Sequence, residues 1–314
     1  MAFALQYEEN MHPVGEWFYS DDPFRDLRGA NEPDPRHKWR VLSDGIQVGD
    51  IESELNTSSM KGRAGRVHNS KERRSRAITL TFDAWADSTY AFPMIRDFIY
   101  HVFDTNEPFY FYEDWRPKDQ RPLDVAVNSK RYYMLKEDVE VVKLSPQKAR
   151  ATVELVTAEL PYGISTGSTA DIIEEGGITF TSGKFGWQEW LDFDEEKYDY
   201  RVQMDPGQTV RLYNPSTKKV KHFEACLHIV ARDFSNIQSG YGLRITNQTN
   251  GTSMKIDREP AAGDTYEQRE NIHWVNGLNE TADDPGFIEL ETGWNELTIE
   301  GASALVDFLF HFYY

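Results

Sequence analysis

Residues Ala77-Ile78-Thr79-Leu80-Thr81-Phe82 alternate apolar and polar side chains without a break. Period two is the mark of a strand with one face buried and one face wet. Phe109–Trp115, Asp138–Leu144 and Arg150–Thr157 follow in the same manner, rich in β-branched and aromatic residues. Between the first two lies Ser88–Asp104, where Ile95, Phe98, Ile99, Val102 and Phe103 fall on one helical face. Arg96, Asp97, Tyr100 and His101 take the opposite side, as an amphipathic helix requires. Ser88 is placed to cap it, Pro93 sits early enough to be tolerated, and Pro108 prevents any extension. The aromatic face of this helix reads as core packed on a sheet.

The C-terminal half repeats short strand patterns. They are Thr209–Tyr213, His222–Val230, Tyr241–Thr246, Ser253–Asp257, Phe287–Leu290, Glu296–Ile299 and Leu305–Phe310. Asn250-Gly251 is a hairpin signal, because both residues tolerate positive φ. Regular short strands without a helical pattern predict a sandwich or jelly roll. Cys226 falls mid-strand and reads as a small packed side chain.

Length and charge agree with two such domains. The chain has 314 residues, and domains run to about 150. Residues 1–160 hold 22 basic and 27 acidic side chains, a net of −5, whereas 161–314 hold 12 and 25, a net of −13. The Gly/Ser/Thr-rich stretch from Gly163 to Ala170 reads as the linker, dividing the chain into 1–165 and 166–314. A formal charge of −18 argues against a general nucleic-acid or anionic-membrane binder. A single cysteine excludes an internal disulfide framework and a Cys-rich zinc module. The first ten residues lack the pattern of a signal peptide and no apolar run reaches membrane-spanning length, so the expectation is a soluble chain folded in the cytoplasm.

Motifs for catalysis are sparse. Gly163-Ile-Ser165-Thr-Gly167 matches the nucleophile elbow of hydrolases, but no strand–elbow–helix pattern on a parallel sheet surrounds it. Ser216-Thr-Lys-Lys219 lacks its companion motifs, and Asp192, Asp194, Glu195 and Glu196 lack the spacing and glycine pivot of a calcium loop. The eight histidines are scattered and no phosphate-binding glycine motif is present. Trp187, Trp190, Trp274 and Trp294 could stack on sugar rings, although most tryptophans serve cores or interfaces. The expectation is a protein with no catalytic residues, no metal and no cofactor.

One basic island stands out in this acidic chain. Lys61, Arg63, Arg66, Lys71, Arg73, Arg74 and Arg76 face only Glu72 between residues 61 and 76. Two glycines and the absence of apolar periodicity read as a long loop. Three roles are open to it: a solvated loop, a contact with acidic surface on another subunit, or a nucleic-acid contact. The last is disfavoured because the loop contains no interleaved aromatic residues.

The order of features resembles a known family. Arg76-Ala-Ile-Thr-Leu-Thr-Phe82, a helix ending Tyr100-His-Val-Phe103, Glu107-Pro-Phe-Tyr-Phe-Tyr112, prolines 117 and 122, and Glu159-Leu-Pro-Tyr-Gly-Ile-Ser165 follow one another. This order is similar to that of the N-terminal domain of the distal tail proteins of long-tailed, non-contractile bacteriophages. Tyr241-Gly-Leu-Arg-Ile-Thr-Asn247, Met254-Lys-Ile-Asp257 and Gly293-Trp-Asn-Glu-Leu-Thr-Ile-Glu-Gly301 resemble the last domain of the same family. The resemblance implies a mainly β chain: a tail-tube-like β-barrel or sandwich with one α-helix, then a galectin-like β-sandwich. It also implies a structural virion protein of the tail tip, forming a hexameric ring around the DNA exit channel. Its partners would be its own copies, the tail tube protein and a tail-associated lysin or fibre protein. Receptor-binding proteins could attach, and DNA would pass only transiently. The alternative from a different class is a carbohydrate-binding module or cell-wall-degrading accessory. Residues 1–40 match the family pattern poorly.

Overall fold

A computed structural model describes residues 2–7, 17–19, 37–58, 67–86, 91–114, 129–179, 184–185, 191, 195–280 and 285–314. The chain is mainly β and divides into two compact units, Met1–Gly163 and Ile164–Tyr314.

The first unit contains β1 (Ala2–Gln6), β2 (Trp17–Tyr19), β3 (His37–Ser58), β4 (Val67–Ala86), α1 (Phe92–Phe103), β5 (Phe109–Asp114), β6 (Lys130–Ser145) and β7 (Lys148–Thr157). Its strands lie in the order β2-β1-β5-β6-β7-β4-β3, antiparallel where each pair is registered. The alternation at 77–82 does what it predicts. Ile78, Leu80 and Phe82 are buried, while Thr79 and Thr81 point to the other face. α1 lies on the buried face through Ile95, Ile99, Val102 and Phe103. Rings lock the layers together: Trp39 stacks on Phe82 at 4.6 Å, and Phe3 meets Phe82 at 5.6 Å and Phe111 at 6.1 Å. The helix starts at Phe92 rather than at Ser88, with Ala91 at its cap position and Pro93 in the first turn. Ser88 lies outside the described residues. The extreme N-terminus, poorly matched by sequence pattern, is a core strand. Phe3 and Leu5 of β1 are buried, and the Tyr7 hydroxyl donates to the Val102 carbonyl at 2.7 Å.

The second unit contains β8 (Ile164–Ser168), α2 (Thr169–Glu175), β9 (Arg201–Met204), β10 (Thr209–Asn214), β11 (His228–Ser235), β12 (Leu243–Asn247) and β13 (Thr252–Ile256). It continues through β14 (Tyr266–Arg269), β15 (Ile272–Val275), β16 (Leu278–Asn279), β17 (Gly293–Glu300), β18 (Ser303–Leu309) and β19 (His311–Tyr313). One sheet runs β10-β17-β12-β13 and the other β16-β15-β14-β11-β18-β9. Leu212, Ile245, Met254 and Leu297 are buried from the first, and Ile229, Tyr266, Val306 and Phe308 from the second.

Several sequence expectations are corrected here. The stretch 163–170 is not a linker: β8 and α2 occupy it, so this half does contain a helix. Gly, Ser and Thr hid it, yet Ser168 and Asp171 have capping-box spacing, and the Asp171 carboxylate accepts from the Ser168 N–H at 2.7 Å. Thr169 is pinned to the last strands, donating to the Phe308 carbonyl at 2.7 Å. The strand expected from His222 starts only at His228, because Lys221–Glu224 turns, with the Ala225 N–H bonded to the Lys221 carbonyl at 3.1 Å. Cys226 is therefore not mid-strand; it is exposed, with φ of +47°. The Asn250-Gly251 hairpin forms, but only Gly251 takes positive φ, +76°.

Phe287–Leu290 is not a strand either. Residues 285–291 form a strap whose backbone is satisfied largely by side chains. Gln268 accepts from the Ile288 N–H at 2.8 Å and donates to its carbonyl at 3.2 Å. The N–H groups of Glu289, Leu290 and Glu291 go to Thr252 Oγ1, the Val220 carbonyl and Asn295 Oδ1. Asn247 and Asn250 donate to the Glu289 carbonyl at 2.8 and 3.0 Å. Buried backbone groups must find partners somewhere, and here amide side chains take the place of a ladder.

Two buried carboxylates brace the units. Asp83 is held by Lys148 and Arg150, both at 2.8 Å, and Asp307 by Arg201 at 2.7 Å and Arg232 at 3.1 Å. Burial pushes both carboxyls upward, but the paired cations outweigh it and hold each below the usual carboxylate range. A carboxyl lowered in the folded state contributes stability that is fully present above about pH 4 and lost as the pH falls through its folded value. Thermal unfolding followed from pH 6 to pH 2 should show this loss, and Asp307→Asn should be less stable at pH 6 with a flatter acid limb. An unchanged acid limb in that variant would show that Asp307 carries no such linkage.

Candidate subunit interface

The basic island sits on the longest hairpin of the chain, formed by β3 and β4. β4 pairs with β7 only from Ala77 to Trp85. N-terminal to Ala77 its registered partner is β3 alone, from Ile51 opposite Arg76 to Ser58 opposite Val67. The two strands thus continue past the sheet as a two-stranded ribbon. The expectation of a loop over 61–76 is corrected for 67–76, which is strand. The sequence signal failed because a ribbon with water on both faces carries no apolar alternation.

A lone two-stranded ribbon is marginal in water, so its base needs fastening. Two arginines fasten it. Arg73 donates to the Tyr162 hydroxyl at 2.9 Å with its guanidinium 5.5 Å from that ring. Arg76 lies 5.9 Å from the Tyr132 ring, and its backbone N–H donates to Thr157 Oγ1 at 3.0 Å. Further out, Arg74 pairs with Glu54, Ser75 donates to Glu52, and Asn56 donates to Ser70 and Glu72. Leu55 stands exposed on this arm.

The seven cations expected to act together therefore separate. Arg73 and Arg76 are turned to tyrosines of their own unit, and Arg74 to a carboxylate across the ribbon. Lys61, Arg63 and Arg66 lie outside the described residues; Lys71 is on β4, opposite Leu55. Tyrosines 132 and 162 gave no signal in sequence because they are remote from the island and meet it only through strand pairing.

Among the described residues of this unit, the sheet face opposite α1 is left open. Asp138, Glu140 and Glu154 are exposed on it, set among Thr79, Thr81 and Thr152. At its other end the Arg131 guanidinium lies 4.1 Å from the Tyr110 ring, which meets Tyr133 at 4.9 Å.

The residues weighed for catalysis have structural surroundings. Ser165 is fully buried; its hydroxyl donates to the Gly167 carbonyl at 2.5 Å and accepts from the Phe312 N–H at 2.9 Å. His311 turns Nδ1 to the carbonyls of Ser165 and Gly167, not to the hydroxyl. Ser216 is buried and accepts from the Tyr313 N–H, while Lys219 pairs with Glu291. Trp294 is covered by Arg211 at 4.2 Å and meets Tyr213 at 5.1 Å. Trp187, Trp190, Asp192 and Asp194 lie outside the described residues. Among the described residues no cluster of three metal-ligating side chains occurs.

A helix-backed antiparallel sheet followed by a β-sandwich is a fold shared with a solved structure, that of SPP1 Dit (gp 19.1), described as a paradigm of the hub adsorption apparatus in phages infecting Gram-positive hosts. It matches with a TM-score of 0.52 at 11% identity, over 88% of this chain and 99% of that one. The phage P2 baseplate in its activated conformation with Ca also matches, with a TM-score of 0.35 at 8% identity, over 99% of this chain and 97% of that one. No family model and no curated protein matches the sequence.

Removing the tyrosine anchor should loosen the arm without unfolding the unit. Arg73→Ala, which frees the ribbon from Tyr162 and leaves that buried ring in place, is expected to cost about 1 kcal/mol, the scale of one cation–π contact with its hydrogen bond. Hydrogen exchange should speed up selectively at residues 67–76. Unchanged exchange there would show that Arg73 does not anchor the ribbon.

Proposed function

We propose that this chain is a structural virion protein, the hub of a phage tail tip. Copies close into a hexameric ring that joins the tail tube to the tail-associated lysin or fibre proteins and surrounds the DNA exit channel. The observation that carries the reading is the fold shared with SPP1 Dit along nearly the whole length of both chains. The N-terminal unit, 1–165, forms the ring, and the galectin-like sandwich, 166–314, projects and offers surface for receptor-binding proteins. The ring assembles in the host cytoplasm and functions in the virion, without catalysis or cofactor.

Two features of the N-terminal unit suit this role. Lys71 and Arg74 stand on β4 beyond its pairing with β7, and Lys61, Arg63 and Arg66 fall in sequence between β3 and β4, a set of cations suited to acidic surface on the next copy. The open face with Asp138, Glu140 and Glu154 repels phosphate, so a channel lined by it lets DNA slide without holding it. Long, open strand edges invite pairing unless something covers them, and a closed ring does so.

Mass photometry of the purified chain should find a closed hexamer. Charge reversal at Lys61, Arg63, Arg66 and Arg74 together should lower assembly at least tenfold in concentration dependence, with unchanged circular dichroism. Hexamers that persist in that variant would remove the arm from the interface. A wild-type monomer that degrades purified wall polymer would overturn the hub reading itself.

A further inference from the structure

Trp274 of β15 stands on the outer face of the second sheet of the C-terminal unit. Its chain neighbours His273 and Val275 are buried in the core, and the alternation of a strand turns Trp274 the other way. Strand pairing then sets a row of side chains beside it. Asn279 of β16 and Glu267 of β14 lie opposite Trp274, Val230 of β11 opposite Glu267, and Asp307 of β18 opposite Val230. Adjacent strands are about 4.8 Å apart, so an amide, an indole and a carboxylate line up over about 10 Å.

The two ends of this row differ in character. At one end Asp307 is buried and bracketed by Arg201 and Arg232, so its carboxylate is committed. At the other end the side chains reach solvent. His228 Nε2 lies 2.8 Å from Glu267 Oε2, and this pair fixes the carboxylate on the strand next to the indole. Arg269 is exposed two residues further along β14, opposite the half-buried Ile272. Trp274 is half-buried and has no ring or cation partner among the described residues, whereas Trp294 on the other sheet is covered by Arg211.

An indole beside a carboxylate, an imidazole, a guanidinium and an amide suits one class of ligand. The C–H-lined face of a pyranose packs on an aromatic ring, while its hydroxyls donate to carboxylate oxygens and accept from guanidinium and amide N–H groups. Small-ligand sites have this make-up, a largely apolar floor with a few fixed polar groups. Charge narrows the ligand further. Residues 161–314 carry a net charge of −13, and Glu267 meets an acidic group directly, so an anionic polymer is repelled.

We propose that the outer face around Trp274 binds a neutral saccharide, with one pyranose ring stacked on the indole. Glu267 accepts from the sugar hydroxyls, His228 holds that carboxylate in place, and Arg269 and Asn279 bond the flanks of the ring. Val230 and Ile272, both half-buried on the same face, extend the apolar floor. The assignment concerns the sandwich alone and does not rest on the hub reading.

Saturation-transfer NMR of the full chain with maltotetraose, cellotetraose and tetra-N-acetylchitotetraose tests the site. One or more of the three should receive saturation, with a calorimetric Kd of about 1 mM or tighter. Trp274→Ala should weaken that binding about tenfold, and Glu267→Gln, which keeps the shape and removes the charge, by a similar factor. Trp294→Ala, on the other sheet, should leave it unchanged. Binding of none of the three, or binding that survives both Trp274→Ala and Glu267→Gln, would overturn the proposal. If Trp274→Ala fails to fold, Glu267→Gln and Arg269→Ala decide, and unchanged affinity in both refutes the site. None of these outcomes bears on ring assembly.

Discussion

One constraint organises the N-terminal unit: an antiparallel sheet backed by α1 buries the face that α1 covers. Phe82 sits where that burial is densest, stacked on Trp39 and within reach of Phe3 and Phe103. Burying a ring of this size removes enough apolar area from water to favour folding by a few kcal/mol, and four together define one side of the sheet. The other side must then be polar, which is why threonines and carboxylates occupy it. The strand that carries Phe82 also runs on beyond the sheet to become the arm, so core and projection are one continuous element.

The C-terminal unit solves a different problem. Its two sheets supply apolar inner faces, but the segment 285–291 brings buried backbone that no continuous ladder satisfies. Gln268, Asn247, Asn250 and Asn295 answer with amide groups, each offering donors and an acceptor in one side chain. An unmet buried amide costs on the order of 1–3 kcal/mol, so these residues are as necessary as the apolar ones around them. Side-chain bonds of this kind hold the segment in place without making it part of either ladder.

Charge is distributed to match. Among the described cations of the arm, Arg73 and Arg76 turn to tyrosines of their own unit and Arg74 to Glu54 across the ribbon. The buried carboxylates Asp83 and Asp307 are each bracketed by two cations, whereas Asp138, Glu140 and Glu154 are exposed on the sheet face opposite α1. The excess negative charge is therefore a property of the surface.

Much of this was legible in the sequence: the strand around Phe82, the helical face from Ile95 to Phe103, and the mainly β character of both halves. These depend on local periodicity, which hydrophobic burial writes directly into residue order. The β8–α2 segment was misread because its composition resembles a linker, although the Ser168–Asp171 spacing was there to be seen. What only the tertiary structure decided were the contacts made across long separations: Tyr162 beneath Arg73, Gln268 clasping Ile288, and His222 and His273 on either side of Phe287. Each depends on register between strands remote in the chain. Register is set by the packing of the whole unit, so no local pattern could announce it.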